Sequence, residues 1–308
     1  MRAYLYEDLS NGKVLLIDMV SLIVALIFSS HGPIAPSLAT GVSLYRPSQN
    51  GDSCCPSMAQ FVSDPKFLAA HFTPPKLAWQ ATIGKMVHFA APFGGEASGF
   101  YVPPTARSKV AIIMVHEYWG LNDFMKRTAE KLHNDTGYAV LAVDLYDGKV
   151  ATDPSEAGKL MADNNEQRSA SIISGGFSAL AKDQFGFKPT HIGTVGYCFG
   201  GGWSERAAII GSNRVQACVV YYGLPDIRPA SLARLKAPVL MFQALQDQWI
   251  NGTVVGNFKS AMATAGKQLQ VVPYDANHAF ANPSNPHFNA EVSADAYRRE
   301  LAFFKSKL

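Results

Sequence analysis

The chain has 308 residues, of which 48% are hydrophobic and 17% charged. That balance belongs to a globular protein able to bury a large core, as one domain with an appendage or as two small domains. The formal charge of +3 is small for this length, and the basic residues gather into no arm or stripe, so no nucleic-acid partner is expected.

In chain order, residues 14–29 (VLLIDMVSLIVALIFS) form a mostly apolar run after Lys13. The run is short for a membrane span. Ser37-Leu38-Ala39 then offers small residues suited to a cleavage site. Residues 1–39 therefore read as a secretory signal peptide, which implies a secreted or periplasmic chain with no stable membrane span once matured. Asp18 inside the apolar run opposes this reading. The alternatives are an interfacial or anchor helix, or a true start at Met19 and a cytoplasmic protein. Residues 40–84 read as an N-terminal extension carrying Cys54-Cys55-Pro56, with Phe61, Phe67, Leu68 and Phe72 available to pack onto the body. The four cysteines (54, 55, 198 and 218) make no disulfide framework. No C-x-x-C or H-E-x-x-H spacing occurs, so no metal site is expected.

From residue 85 to 308 the pattern changes to apolar runs alternating with helical periodicity. An antiparallel pair is predicted over 85–89 and 99–102, joined through Gly94-Gly95. Strands follow at 110–115 and 139–143, with a helix over 122–134 between them whose Met125, Ala129 and Leu132 share one face. Helices are predicted near 155–162 and 168–181, a strand at 192–195 and a helix at 202–210. Further strands fall at 217–222, 239–242 and 269–273, with helices over 251–265 and 294–307. Near-continuous apolar strands alternating with helices argue for an α/β fold: a mostly parallel central sheet with helices on both faces. The carboxyl ends of its strands are where such a sheet carries function.

Gly196-Tyr197-Cys198-Phe199-Gly200 is the most informative segment. It follows the strand at 192–195 and opens a helix. A sharp strand-to-helix turn needs a small residue on each side of the nucleophile, and the helix start favours an anion on Cys198. Asp247 and His278 also lie just after strands, and the order nucleophile, acid, His is that of α/β-hydrolases. His278 would take the thiol proton and Asp247 would fix its tautomer. Asp226 and Asp275 compete with Asp247 for the acid role. The oxyanion donors are expected to be the backbone N–H of Phe199 and that of Tyr118, in the loop His116-Glu117-Tyr118-Trp119-Gly120. Glu117 would pair with the thiol or hold a water; a loop salt bridge is its alternative. Trp119, Trp249 and Phe280 are candidate walls of an apolar pocket. Trp203 and Cys218 read as core.

Taken together, the 116–122 loop, Val143-Asp144-Leu145-Tyr146, the 196–201 turn, Asp247 and His278-Ala279-Phe280 resemble the dienelactone hydrolase family over roughly residues 85–308. The resemblance implies a Cys198-Asp247-His278 triad, with Glu117 interacting with the resting thiol, and no cofactor. The leader and Cys-Cys-Pro extension resemble exported bacterial members. Archetypal members also hold a substrate carboxylate with two Arg. Here Asn282 stands four residues after His278, and Thr152-Asp153-Pro154-Ser155 occupies the second place, with Arg168 nearby. The expected substrate is therefore a small carboxylic ester or lactone other than dienelactone itself. It would be cleaved through a thioester acyl-enzyme. A non-catalytic binding protein on the same fold, or an acyltransferase using the same triad, are the alternatives. Nothing in the sequence fixes the oligomeric state.

Overall fold

The computed structural model describes residues 4–8, 13–17, 57–73 and 79–308, the first two segments as backbone only. Two compact units result, Met1–Val42 and Ser43–Leu308. In the first, β1 (Tyr4–Asp8) and β2 (Lys13–Ile17) pair antiparallel, with Tyr4 opposite Ile17. The rest of the expected leader, its cleavage site at residues 37–39, and Cys54 and Cys55 lie outside the described residues. No helix among the described residues is long and apolar enough to cross a membrane.

The described part of the second unit begins with a 3-10 turn, Met58–Phe61, capped by Ser57, and a short helix α1 (Pro65–Ala70). Asp64 accepts the Lys66 N–H and Pro65 supplies the fixed φ suited to a first helical residue. Then follow β3 (Lys85–Ala91), β4 (Gly95–Val102), β5 (Val110–Val115), α2 (Asp123–Thr136) and β6 (Ala139–Val143). The chain continues through α3 (Pro154–Ala162), α4 (Glu166–Ala181), β7 (His191–Tyr197), α5 (Phe199–Gly211) and β8 (Ala217–Tyr221). It closes with α6 (Pro229–Arg234), β9 (Val239–Ala244), α7 (Gly252–Thr264), β10 (Leu269–Tyr274) and α8 (Ala290–Lys307).

Strands β3 to β10 form one eight-stranded sheet in the order β10-β9-β8-β7-β5-β6-β4-β3. Only the β3–β4 and β4–β6 pairs are antiparallel. Every residue of β5, β6, β8 and β9 is buried, which is why these strands read as unbroken apolar runs rather than alternating ones. Helix α2 shows the opposite logic. Its Met125, Ala129 and Leu132 are buried on one face, Asn122 caps its start, and Gly137 at φ 73° ends it. After β5 the chain passes to β6 on one side and then to β7 on the other. This reversal opens a crevice at the carboxyl ends of β5 and β7, the usual place for a site in such a sheet.

The extension is tied to the body. Glu130 of α2 accepts the N–H groups of Thr82, Ile83 and Gly84 at 2.9, 2.7 and 2.7 Å. Phe67 is fully buried, and Phe61 and Leu68 pack against the core. Phe72 departs from expectation: it stays exposed, with its ring edge-on to that of His287 at 6.1 Å. Helix α6 also went unforeseen, being a six-residue element too short to show periodicity.

Candidate active site

Cys198 sits on the turn between β7 and α5 with φ 55° and ψ −118°. A non-glycine residue there costs about 1–3 kcal/mol. The turn is held by Cys198 N–H donating to the Tyr221 carbonyl (3.0 Å) and Gly201 N–H donating to the Cys198 carbonyl (2.9 Å). Close approach explains the flanking glycines. A Cβ on Gly196 would lie 1.9 Å from the Gly200 carbonyl oxygen, and one on Gly200 2.3 Å from that of Val115. Phe199 is the first residue of α5, so its N–H is among those with no carbonyl acceptor within the helix.

His278 follows β10 and Asp247 follows β9. His278 Nε2 lies 3.1 Å from Cys198 Sγ, and its Nδ1 lies 2.6 Å from Asp247 Oδ2. Asp247 Oδ1 accepts the N–H groups of Trp249 and Ile250, both at 2.9 Å. Burial pushes the Asp247 carboxyl up, but His278 and these donors outweigh it and hold it below the usual range. Burial likewise works to lower His278. The Asp247 charge and then the Cys198 sulfur overcome it and hold the imidazole well above its ordinary value. Neither competing acid reaches His278: Asp226 pairs with Arg228, and Asp275 accepts from Gln246 at 2.8 Å.

Glu117 follows β5. Its Oε2 accepts Asn282 Nδ2 at 2.5 Å, while buried Oε1 has no hydrogen-bond partner. Burial raises this carboxyl to about 7, against the pull of Asn282 and His278. His116 pins the loop, donating from Nδ1 to the Glu117 carbonyl (2.8 Å) and accepting the Leu145 N–H at Nε2 (3.0 Å). Asn282 thus serves Glu117 where archetypal relatives would offer Arg to a substrate. Arg168 is likewise engaged, binding Asp147 and the carbonyls of Gly94 and Glu96.

A buried group with a raised pKa stabilises the fold fully below its unfolded value, near 4.5 here, and loses that contribution as pH rises through about 7. Glu117→Gln should therefore raise stability relative to wild type by on the order of 3 kcal/mol at pH 8, and by less than about 1 kcal/mol at pH 5. Thermal unfolding at both values tests this. An equal difference at pH 5 and pH 8 would contradict it.

The extension enters the site, which no sequence pattern announced. His71, at the end of α1, is 3% exposed, with Nδ1 2.7 Å from the Phe67 carbonyl and Nε2 3.7 Å from Cys198 Sγ. Burial, then the nearby His278 charge, pushes His71 down to about 3, so it is neutral. Trp249 Nε1 donates to Asp64 (3.0 Å), and Asn285 Nδ2 donates to the Ala70 carbonyl (3.2 Å). The expected pocket wall is consequently packed against the chain itself. Tyr118 lies 4.3 Å from the His71 ring and 5.8 Å from Phe67, and Trp249 meets Phe67 edge-on at 5.1 Å. Trp119 packs edge-on against Tyr118. Phe280 is fully buried between Tyr222 and Tyr274, within the core behind the His278 loop. Trp203 is buried beside Phe199 and Arg206.

A parallel sheet with a nucleophile-type turn at the end of β7, and an acid and a His on later strand ends, defines an α/β-hydrolase. The dienelactone hydrolase family profile matches residues 98–308, and the chain belongs to that family of carboxylic ester hydrolases. The Protein usf of Aquifex pyrophilus is 29% identical over 237 residues, covering 73% of this chain and all of the relative. The carboxymethylenebutenolidase of a Pseudomonas species is 27% identical over 221 residues, covering 69% and 91%. The dienelactone hydrolase structure from Anabaena variabilis superimposes with a TM-score of 0.54 at 22% identity, covering 73% of this chain and 98% of that one.

Proposed function

We propose that this protein hydrolyses a small ester or lactone through Cys198, His278 and Asp247, by way of a thioester acyl-enzyme. The observation that carries the reading is the buried chain of contacts from Sγ to Nε2 (3.1 Å) and from Nδ1 to Oδ2 (2.6 Å). His278 takes the thiol proton, and the Asp247 charge makes the imidazolium favourable. The sulfur attacks the acyl carbon and forms the C–S bond. The carbonyl electrons move to oxygen, where the N–H groups of Phe199 and Tyr118 receive the charge. Collapse expels the alkoxide, which takes the proton from His278. Water, deprotonated by His278, then attacks the thioester and releases the acid and the thiol. Glu117 lies in the same enclosure, and its titration near 7 lets it exchange a proton at working pH.

Thiolate is a good leaving group as well as a strong nucleophile, so activated esters and lactones suit this chemistry better than amides. His71 stands against Sγ with Phe67 and Tyr118 packed on its ring and Trp249 on Phe67, a close cover that supports a small acyl group. Asn282, bound to Glu117, and Arg168, bound to Asp147, support a substrate other than one held by a two-arginine carboxylate clamp.

Hydrolysis of p-nitrophenyl acetate by the full chain and by Cys198→Ala tests the mechanism. Wild type should turn over and the variant should not, with circular dichroism unchanged. Equal rates would remove Cys198 as nucleophile.

A further inference from the structure

His71, Cys198 and His278 are an unusual trio for an acyl-transfer site. One ligating atom from each, all buried, lies within 4.8 Å of the other two. Hydrogen bonding fixes which atoms face the sulfur. The Phe67 carbonyl can only accept, so His71 Nδ1 carries the hydrogen and Nε2 turns its lone pair towards Sγ. Asp247 fixes His278 Nδ1 in the same way, leaving Nε2 facing Sγ. Two imidazole nitrogens therefore converge on one sulfur. The single proton shared by Sγ and His278 Nε2 leaves the His71 lone pair with no hydrogen to accept.

A cation bound to the thiolate satisfies both. Tetrahedral zinc, with Zn–S of about 2.3 Å and Zn–N of about 2.0–2.1 Å, sets its N and S ligands roughly 3.5 Å apart. The two N···S distances here, 3.7 and 3.1 Å, bracket that separation. Each imidazole also has the outer partner that metal-bound histidines require, a carboxylate for His278 and a backbone carbonyl for His71. One thiolate with two imidazoles suits a borderline-soft divalent ion and not a hard one such as magnesium or calcium.

We propose that His71, Cys198 and His278 form a three-ligand site for zinc or a zinc-like divalent cation. Binding releases the single proton shared by Cys198 and His278 to solvent and forms one metal–sulfur and two metal–nitrogen bonds. The same sulfur lone pair cannot also attack an acyl carbon, so an occupied site is inactive as a hydrolase until the ion leaves. The extension supplies the ligand that turns a Cys-His pair into a chelating set.

Cobalt(II) titration of the chelator-treated full chain tests the site, with zinc added as competitor. Wild type should bind one equivalent, show a sulfur-to-cobalt charge-transfer band in the near ultraviolet, and lose it on adding zinc. Cys198→Ala should lack the band. His71→Ala should weaken cobalt binding by at least the tenfold to hundredfold that loss of an outer partner alone causes. Because that change could also loosen α1, His71→Gln serves as the second variant: its amide reaches the place of Nε2 and keeps the bulk against Phe67 and Tyr118, but is a poor ligand for cobalt or zinc, and it should weaken binding likewise. Absence of the band in wild type overturns the site, as does wild-type affinity in either His71 variant. Ester hydrolysis in chelator is read separately, so failure of the metal site leaves the Cys198 mechanism standing, and the reverse.

Discussion

Asp247→Asn should lower kcat for an activated ester by about four orders of magnitude, with the fold intact. The two N–H groups of Trp249 and Ile250 that hold Oδ1 would hold the amide oxygen of Asn in the same place. The amide nitrogen would then face His278 Nδ1, where Oδ2 stands at 2.6 Å. An N–H pointing there forces the imidazole hydrogen onto Nε2, the atom that accepts the thiol proton in the proposed mechanism. The variant also removes the charge that holds the imidazolium favourable. Steady-state kcat with p-nitrophenyl acetate, alongside unchanged circular dichroism, is the measurement. A loss of less than about tenfold would remove Asp247 from the orienting role.

Gly200→Ala should cost more than about 4 kcal/mol, enough to leave little folded protein. The added Cβ would meet the carbonyl oxygens of Val115 and His116 at 2.3 and 2.4 Å. Those atoms belong to β5 and the loop after it, so no flexible side chain can move aside. Helix α5 would have to lift, shifting Cys198 against the loop that carries Glu117 and Tyr118. Gly252→Ala is the matched control: it also lies on a helix, but nothing stands within 4 Å of its Cβ position. Thermal unfolding and soluble yield of the two variants should differ sharply. Equal stability would show that the α5–β5 approach has room to spare.

The sheet was readable in the sequence because buried parallel strands write themselves as apolar runs. Residues 110–115 and 139–143 end where β5 and β6 end. The turn at Cys198 was readable because its glycines answer to a local steric demand. Asp247 already stands ahead of Asp226 and Asp275 in the sequence, although all three lie near strand ends; the structure adds that, of the three, Asp247 meets His278 Nδ1. The contribution of His71 was invisible. It reaches Cys198 from far along the chain, through a one-and-a-half-turn helix, and its only local signature is a histidine four residues after a phenylalanine. Asn282 shows a different limit. The sequence marked it as a missing arginine, and only its contact with Glu117 gives it a partner of its own.

The burial of Cys198 has a consequence for how long the enzyme lasts. Oxidation of a cysteine to sulfenic acid and beyond depends on how freely an oxidant reaches the sulfur as well as on thiolate character. Sγ lies in a residue only 2% exposed, beneath α1 and between two imidazoles. That cover is fastened by Trp249 Nε1 donating to Asp64 and Asn285 Nδ2 donating to the Ala70 carbonyl. Protection of the Cys198 thiol against oxidants is therefore shared by residues 57–73, a segment outside the strands and helices that position Cys198, Asp247 and His278.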